Sequence, residues 1–194
     1  MARKSNRSLW TAKLTGKPMP GALPEEALMR PRRPFDGVVL GVDPSLRGTG
    51  LALVEFRPGG EPRLLASETV RNRPKLSFTE CLGEIARRVT VMLDHSTPPD
   101  CLALEQTIYV QNFQTAQILG AARGAAIAPA AMRGVAIFEY APLRIKQAVV
   151  GAGRASKEQV ASTMRHHLRL LAELPSDESD AAAAACCHAW TWRG

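Results

Sequence analysis

No run of apolar residues in this 194-residue sequence approaches the roughly 18 that a bilayer-spanning helix needs, so a transmembrane segment is not expected. The N-terminus carries charges with no apolar stretch behind them, which argues against a secretory signal. Cysteine is scarce and badly spaced for chemistry. There are four, Cys81, Cys101, Cys186 and Cys187, two of them adjacent and none showing CxxC spacing with histidine partners. That excludes a disulfide framework and a zinc site, and predicts reduced, buried, inert thiols in a cytoplasmic protein. No internal repeat is present. Gly151-Ala152-Gly153 is a lone GxG, too little for a phosphate-binding loop, and reads as a turn between helices. What remains is 45% hydrophobic, enough for one domain with a real core and a tail.

The net charge of +7 is unevenly spread. Residues 1–36 hold eight Lys/Arg against three acids, and residues 120–170 hold eight against two. Residues 37–119 are nearly neutral, with eight against nine, and residues 171–194 are acidic, with one against four. A polyanion could be held by the basic segments and presented to the acidic ones; solvated helix faces would carry the same charge. Residues 1–36 read as a basic extension, expected to be disordered because Pro18, Pro20, Pro24, Pro31 and Pro34 interrupt any long element. It could be a nucleic-acid-binding arm, a plain leader or, with no acid among its first 24 residues, an organelle transit peptide.

The folded domain is expected from residue 37 to 194. Val38–Val42 is an apolar run of strand length ending at Asp43-Pro44. A Gly-rich turn through Gly48 and Gly50 then leads to strands at Leu51–Phe56 and Arg63–Val70, a meander. Phe78, Cys81, Leu82, Ile85, Val89 and Met92 are spaced as one face of a helix. Cys101–Glu105 predicts a fourth strand, Asn112–Met132 a long helix and Val135–Tyr140 a fifth strand. Ser156 and Gln159 form a capping-box pair opening a helix with Val160, Met164, Leu168 and Leu171 on its apolar face. Asp177–Trp192 is the last helix, with five consecutive alanines. The order βββαβαβαα gives an α/β class with a mixed sheet flanked by helices.

Four carboxylates carry the functional signal. Asp43 and Glu105 stand at the C-terminal ends of apolar strands, where an acid needs a partner. Asp177 and Asp180 are three apart at a helix start and share a face. Taken singly, Asp43 could be a turn residue before proline and the helix pair could serve capping and the dipole. Together they could converge on one point, where they would repel and raise one another's pKa. Hard divalent cations such as Mg²⁺ or Mn²⁺ relieve that repulsion, and two such ions can activate water and hold a phosphate for hydrolysis. His166 and His167 lie on a basic helix and read as surface or DNA-facing, and Trp190 and Trp192 as packing anchors.

These residues sit in familiar company. Leu40-Gly41-Val42-Asp43-Pro44 with Arg47-Gly48-Thr49-Gly50 resembles the first motif of RuvC-type Holliday junction resolvases, and Ala103-Leu104-Glu105-Gln106 the second. Ala121-Ala122-Arg123-Gly124 lies at the matching distance. The longest match runs from Phe138-Glu139-Tyr140-Ala141-Pro142 through Ile145–Gly151 and Gly153 to Ala155–Val160. The closing acid pair matches Asp177 and Asp180, followed by Ala181–Ala183.

The resemblance covers about residues 37–190 and implies a ribonuclease H-like mixed five-stranded sheet. It implies a homodimer nicking opposed strands of a four-way DNA junction by metal-assisted hydrolysis, in recombination and repair, with a branch-migration motor complex as a further partner. Asp43, Glu105, Asp177 and Asp180 would be catalytic and would hold Mg²⁺, with Mn²⁺ able to substitute and two ions per site. Lys146, Lys157, Arg123, Tyr109 and Arg154 would face DNA. The sequence departs from the family three residues after the second motif, where a phenylalanine is usual and Ile108 stands beside Tyr109. Two rivals are a junction-binding protein without catalysis and an RNA-processing nuclease of the same superfamily. Clustered negative charge in a binder of polyanions counts against the first, and the long middle match against the second.

Overall fold

The computed structural model describes residues 33–106 and 112–193. The first 32 residues, with the disorder expected of them, and Ile108 and Tyr109 lie outside that range. Five strands, β1 (Gly37–Asp43), β2 (Gly48–Phe56), β3 (Arg63–Arg71), β4 (Cys101–Glu105) and β5 (Ala136–Tyr140), form one sheet in the order β3-β2-β1-β4-β5. β1 runs antiparallel to β2 and parallel to β4, and β4 runs parallel to β5, so the sheet is mixed as expected. Five helices complete the described chain: α1 (Phe78–Leu93), α2 (Phe113–Met132), α3 (Pro142–Val150), α4 (Lys157–His167) and α5 (Ser176–Thr191).

Alternate residues of the same strands build two cores. Leu40, Val42, Leu51, Leu53, Leu102 and Leu104 meet Ile85, Val89 and Met92 of α1 and Ala122, Ala126 and Ala130 of α2 on one face. On the other, Val39, Ala52, Val54, Cys101 and Ala103 meet α3, α4 and the alanines of α5. Phe35 also belongs to this second core, its ring edge-on to Phe56, His188 and Trp192.

The local signals act where the sequence places them. Ser77 and Glu80 cap α1 reciprocally, Asn112 accepts from the first amides of α2, and Ser156 and Gln159 form the expected capping box of α4. Four expectations need correction. The expected order left out a helix, α3, between β5 and the Ser156 cap, although the turn read between helices at Gly151-Ala152-Gly153 implied one. Its signals were a proline at the first turn, Ile145 and Val149 four apart on the buried side, and Gly151 closing it at φ +79°. Gly48 and Gly50 lie within β2 rather than in a turn, for a tertiary reason given below. Leu171 is fully exposed, because α4 ends at His167 and the chain turns before a further helical repeat can bury it. Trp190 is partly exposed against His167, while Trp192 packs among Phe35, Phe138 and His188 as an anchor. The four cysteines are free and buried, as expected.

Candidate active site

The site forms where two parallel strands end beneath a helix. Val42 pairs with Leu104, so the residues that follow, Asp43 and Glu105, terminate neighbouring strands. Val39, Gly41 and Asp43 alternate onto the α5 face, as do Cys101, Ala103 and Glu105. α5 lies directly on that face. A Cβ at Gly41 would stand 1.9 Å from the Ala181 carbonyl oxygen, and one at Gly50 would stand 1.9 Å from that of Asp177. Gly50 is also the register partner of Asp43. The glycines are therefore strand positions cleared of side chain so that helix backbone can touch sheet backbone. The five alanines, Ala181–Ala185, do the same from the helix side, all of them buried.

This contact brings Asp177 and Asp180, in the first turns of α5, to the two strand ends. Burial pushes the Asp43 carboxyl up from 3.8 to about 7, with repulsion from Asp180, Glu105 and Asp177 adding in that order. Glu105 and Asp180 are also raised, burial first in both; Asp180 adds to the rise at Glu105, and Asp177 to that at Asp180. Repulsion was expected here, but desolvation is the larger cause. Two lysines oppose it. Lys157 Nζ stands 3.5 Å from Asp180 Oδ2, and its own pKa is raised, chiefly by Asp180. Lys146 donates to the Ala155 carbonyl at 2.7 Å and holds down both Glu105 and Asp180.

The donor set suits a hard divalent cation: carboxylate oxygens from four acids, partly buried and short of positive charge. Among the described residues, however, no three His, Cys, Asp or Glu side chains are drawn together as closely as the ligands of a closed cage. Asp180 instead pairs with Lys157. The acids are electrostatically coupled, and a divalent cation would offset their charge more fully than Lys157 does.

The surroundings hold these acids in place, partly through residues that the sequence reading passed over. The loop leaving Asp43 is fixed by Thr49, whose hydroxyl accepts from the Ser45 amide and donates to the Ser45 carbonyl. Asn72 donates to the Leu46 carbonyl at 2.7 Å. Glu178 accepts from Ser67 and Thr69 of β3 at 2.6 and 3.0 Å. Arg123 donates to the Glu105 carbonyl at 2.8 Å and pairs with Glu139, which gives it a bracing contact beside the site. Arg154 is exposed and lines an apolar groove with Leu143, Ala148 and Thr191, apart from the acids. Thr49 and Asn72 are buried polar side chains in the fold, and no local pattern in the sequence signals these braces.

The profile of the crossover junction endodeoxyribonuclease RuvC family matches residues 39–188, a span that contains all four acids and both lysines. The chain belongs to the RuvC family. The similarity extends to named relatives. The crossover junction endodeoxyribonuclease RuvC of Halorhodospira halophila is 41% identical over 151 residues, covering 78% of this chain and 89% of the relative. That of Cupriavidus metallidurans is 39% identical, covering 78% and 82%. Thermus thermophilus RuvC superposes with a TM-score of 0.71 at 36% identity, covering 79% of this chain and 93% of that one. The same protein in complex with a Holliday junction substrate gives 0.74 at 35%, with the same coverage. The RuvC fold is therefore shared across the domain, and the sheet is the ribonuclease H-like one that the motifs implied.

Proposed function

We propose that this RuvC-family chain is a structure-specific DNA endonuclease that resolves four-way junctions by paired symmetric nicks. The observation that carries this reading is the convergence of Asp43, Glu105, Asp177 and Asp180 at two strand ends and one helix start, flanked by Lys146 and Lys157. In the Thermus thermophilus relative, the substrate in the solved complex is a Holliday junction. Asp43, Glu105, Asp177 and Asp180 would hold Mg²⁺, two ions per site, with Mn²⁺ able to substitute. Bound there, the cations supply charge neutralisation at the phosphate and acidify a coordinated water.

The chain's own residues do the rest. Burial keeps the acids' oxygens poorly solvated and ready for a cation. Lys157 is 72% exposed at its side chain, so it would be free to reach a phosphate oxygen from Asp180. Lys146, tied to Ala155, steadies the charge that develops on the phosphoryl oxygens. Arg123 holds the end of β4 through the Glu105 carbonyl. Hydrolysis at one strand leaves a 5′-phosphate and a 3′-hydroxyl, ends a ligase can seal.

Paired nicking needs two such sites, and α2 supports a homodimer. Phe113 and Met132 are 73% and 86% exposed, and Gly120 and Gly124 leave open space where side chains would stand. That apolar, small-residue surface suits the matching helix of a second copy. The basic extension, residues 1–36, would add sequence-independent grip on the junction arms, and Arg154 and Tyr109 would extend the DNA-facing surface. A branch-migration motor would be a further partner. The test is a nicking assay on a synthetic mobile junction with Mg²⁺, followed by ligation, beside the same assay on structured RNA. Symmetric, religatable nicks in the junction alone are expected. A bound but intact junction would leave only a binding protein, and faster cutting of RNA would make it an RNA-processing enzyme.

A further inference from the structure

The three acids at the start of α5 do not point the same way. Asp177 and Asp180 face the strand ends, whereas the carboxylate of Glu178 is turned toward the edge strand, where Ser67 Oγ donates to Oε2 and Thr69 Oγ1 to Oε1. These partners lie 111 and 109 residues away in sequence, so the contact ties the helix start to the far side of the sheet. The tie is needed there, because α5 opens at Pro175 with no side-chain cap, unlike α1, α2 and α4. The first turn is otherwise held by the Ser179 amide on the Pro175 carbonyl and by contact with two glycines. Glycine contacts limit approach but do not resist sliding.

We propose that Glu178 is a positioning residue. Its bidentate acceptance from Ser67 and Thr69 sets the register of the first turn of α5, and so the placement of Asp177 and Asp180 against Asp43. This rests on the nuclease reading for its consequence, but not for its geometry. Glu178 acts through its neighbours and touches neither metal nor DNA. Supporting contacts of this kind change metal affinity or activity by about 10- to 100-fold when removed.

Three variants test it: Glu178→Ala, Glu178→Gln, and the pair Ser67→Ala with Thr69→Val. In the metal-free protein, amide hydrogen exchange over residues 177–181 is expected to quicken in Glu178→Ala and in the β3 pair. Glu178→Gln, which still accepts a hydroxyl, should stay near the parent. In the nicking assay, the Mg²⁺ concentration for half-maximal cutting should rise about 10-fold or more in the first and third, with junction affinity unchanged. Combining Glu178→Ala with the β3 pair should add nothing further, because both remove one contact. Unchanged exchange in Glu178→Ala, or effects that simply add, would overturn the proposal. So would a Gln variant as impaired as Ala, since that would mean the charge itself is used. Should Glu178→Ala fail to fold, the β3 pair carries both readouts with the helix sequence intact. Should the parent protein fail to cut junctions, the nuclease reading falls, while the exchange measurement still decides the latch.

Discussion

The two faces of the sheet are drawn from alternate residues of the same strands, yet they are packed by opposite means. Toward α1 and α2 the strands present Leu40, Leu51, Leu53, Leu102 and Leu104, all fully buried. Toward α5 they present Gly41, Gly50, Ala52 and Ala103, met by five alanines. The bulky face keeps its helices at ordinary side-chain distance, with large aliphatic side chains between helix and strand. The stripped face gives up that volume so that helix and strand backbones touch. Backbone contact sets how closely the helix start lies on the strands that carry the other two acids, and the contact of Glu178 with β3 holds its register. Both faces bury a core, but only the one stripped of side chains sets the geometry of the site.

Asp43→Asn should show the largest effect. Cutting is expected to fall by about 10³-fold, the scale of losing a principal electrostatic contact in a transition state, with junction binding retained. Gel-shift and nicking assays on the same preparation check this; parallel loss of both would deny Asp43 a purely catalytic role. Gly50→Ala comes next and sharpens the contrast between faces. Displacing the Asp177 backbone should cost about 100-fold in cutting per folded molecule, as misplacements of about 1 Å do. Leu53→Ala, on the opposite face of the same strand, should cost about 2–5 kcal/mol in denaturant unfolding while the folded fraction cuts normally. If Gly50→Ala cut normally and Leu53→Ala did not, the division between faces would be wrong.

Lys146→Ala should slow cutting about tenfold, the scale of one charge-assisted contact, with a smaller change in affinity. The smallest effect concerns pH. Asp43 holds a proton in the metal-free fold up to about 7, against its ordinary 3.8. The fold therefore binds more protons than the unfolded chain between those values, and its stability falls as pH rises through them. Melting of the metal-free protein should show Asp43→Asn gaining on the parent from about pH 4 to about pH 7, and Mg²⁺ should close the gap.

Much of this was legible in the sequence because it is local. Strand-end acids, the Ser156 capping box and the Asp177/Asp180 spacing depend on neighbours within a turn or two, and the structure places them as their patterns imply. What was not legible depends on approach from elsewhere. Gly48 and Gly50 look like turn residues until α5 is laid over them. Glu178 looks like one more first-turn acid until β3 is seen beneath it. Arg123 was expected to face DNA, and its brace on the Glu105 carbonyl shows only when the end of β4 is beside it. α3 is the exception: Pro142, Ile145, Val149 and Gly151 announced it locally, and its shortness hid it among the loop signals around it.

The central claim is that acids far apart in sequence form one cation site. Paramagnetic broadening of backbone amide signals by Mn²⁺ measures this directly. The account predicts that signals around Asp43, Glu105, Asp177 and Asp180 broaden together at one Mn²⁺ concentration, and that Asp43→Asn relieves all four regions at once. Broadening confined to the start of α5, or left unchanged by Asp43→Asn, would contradict it.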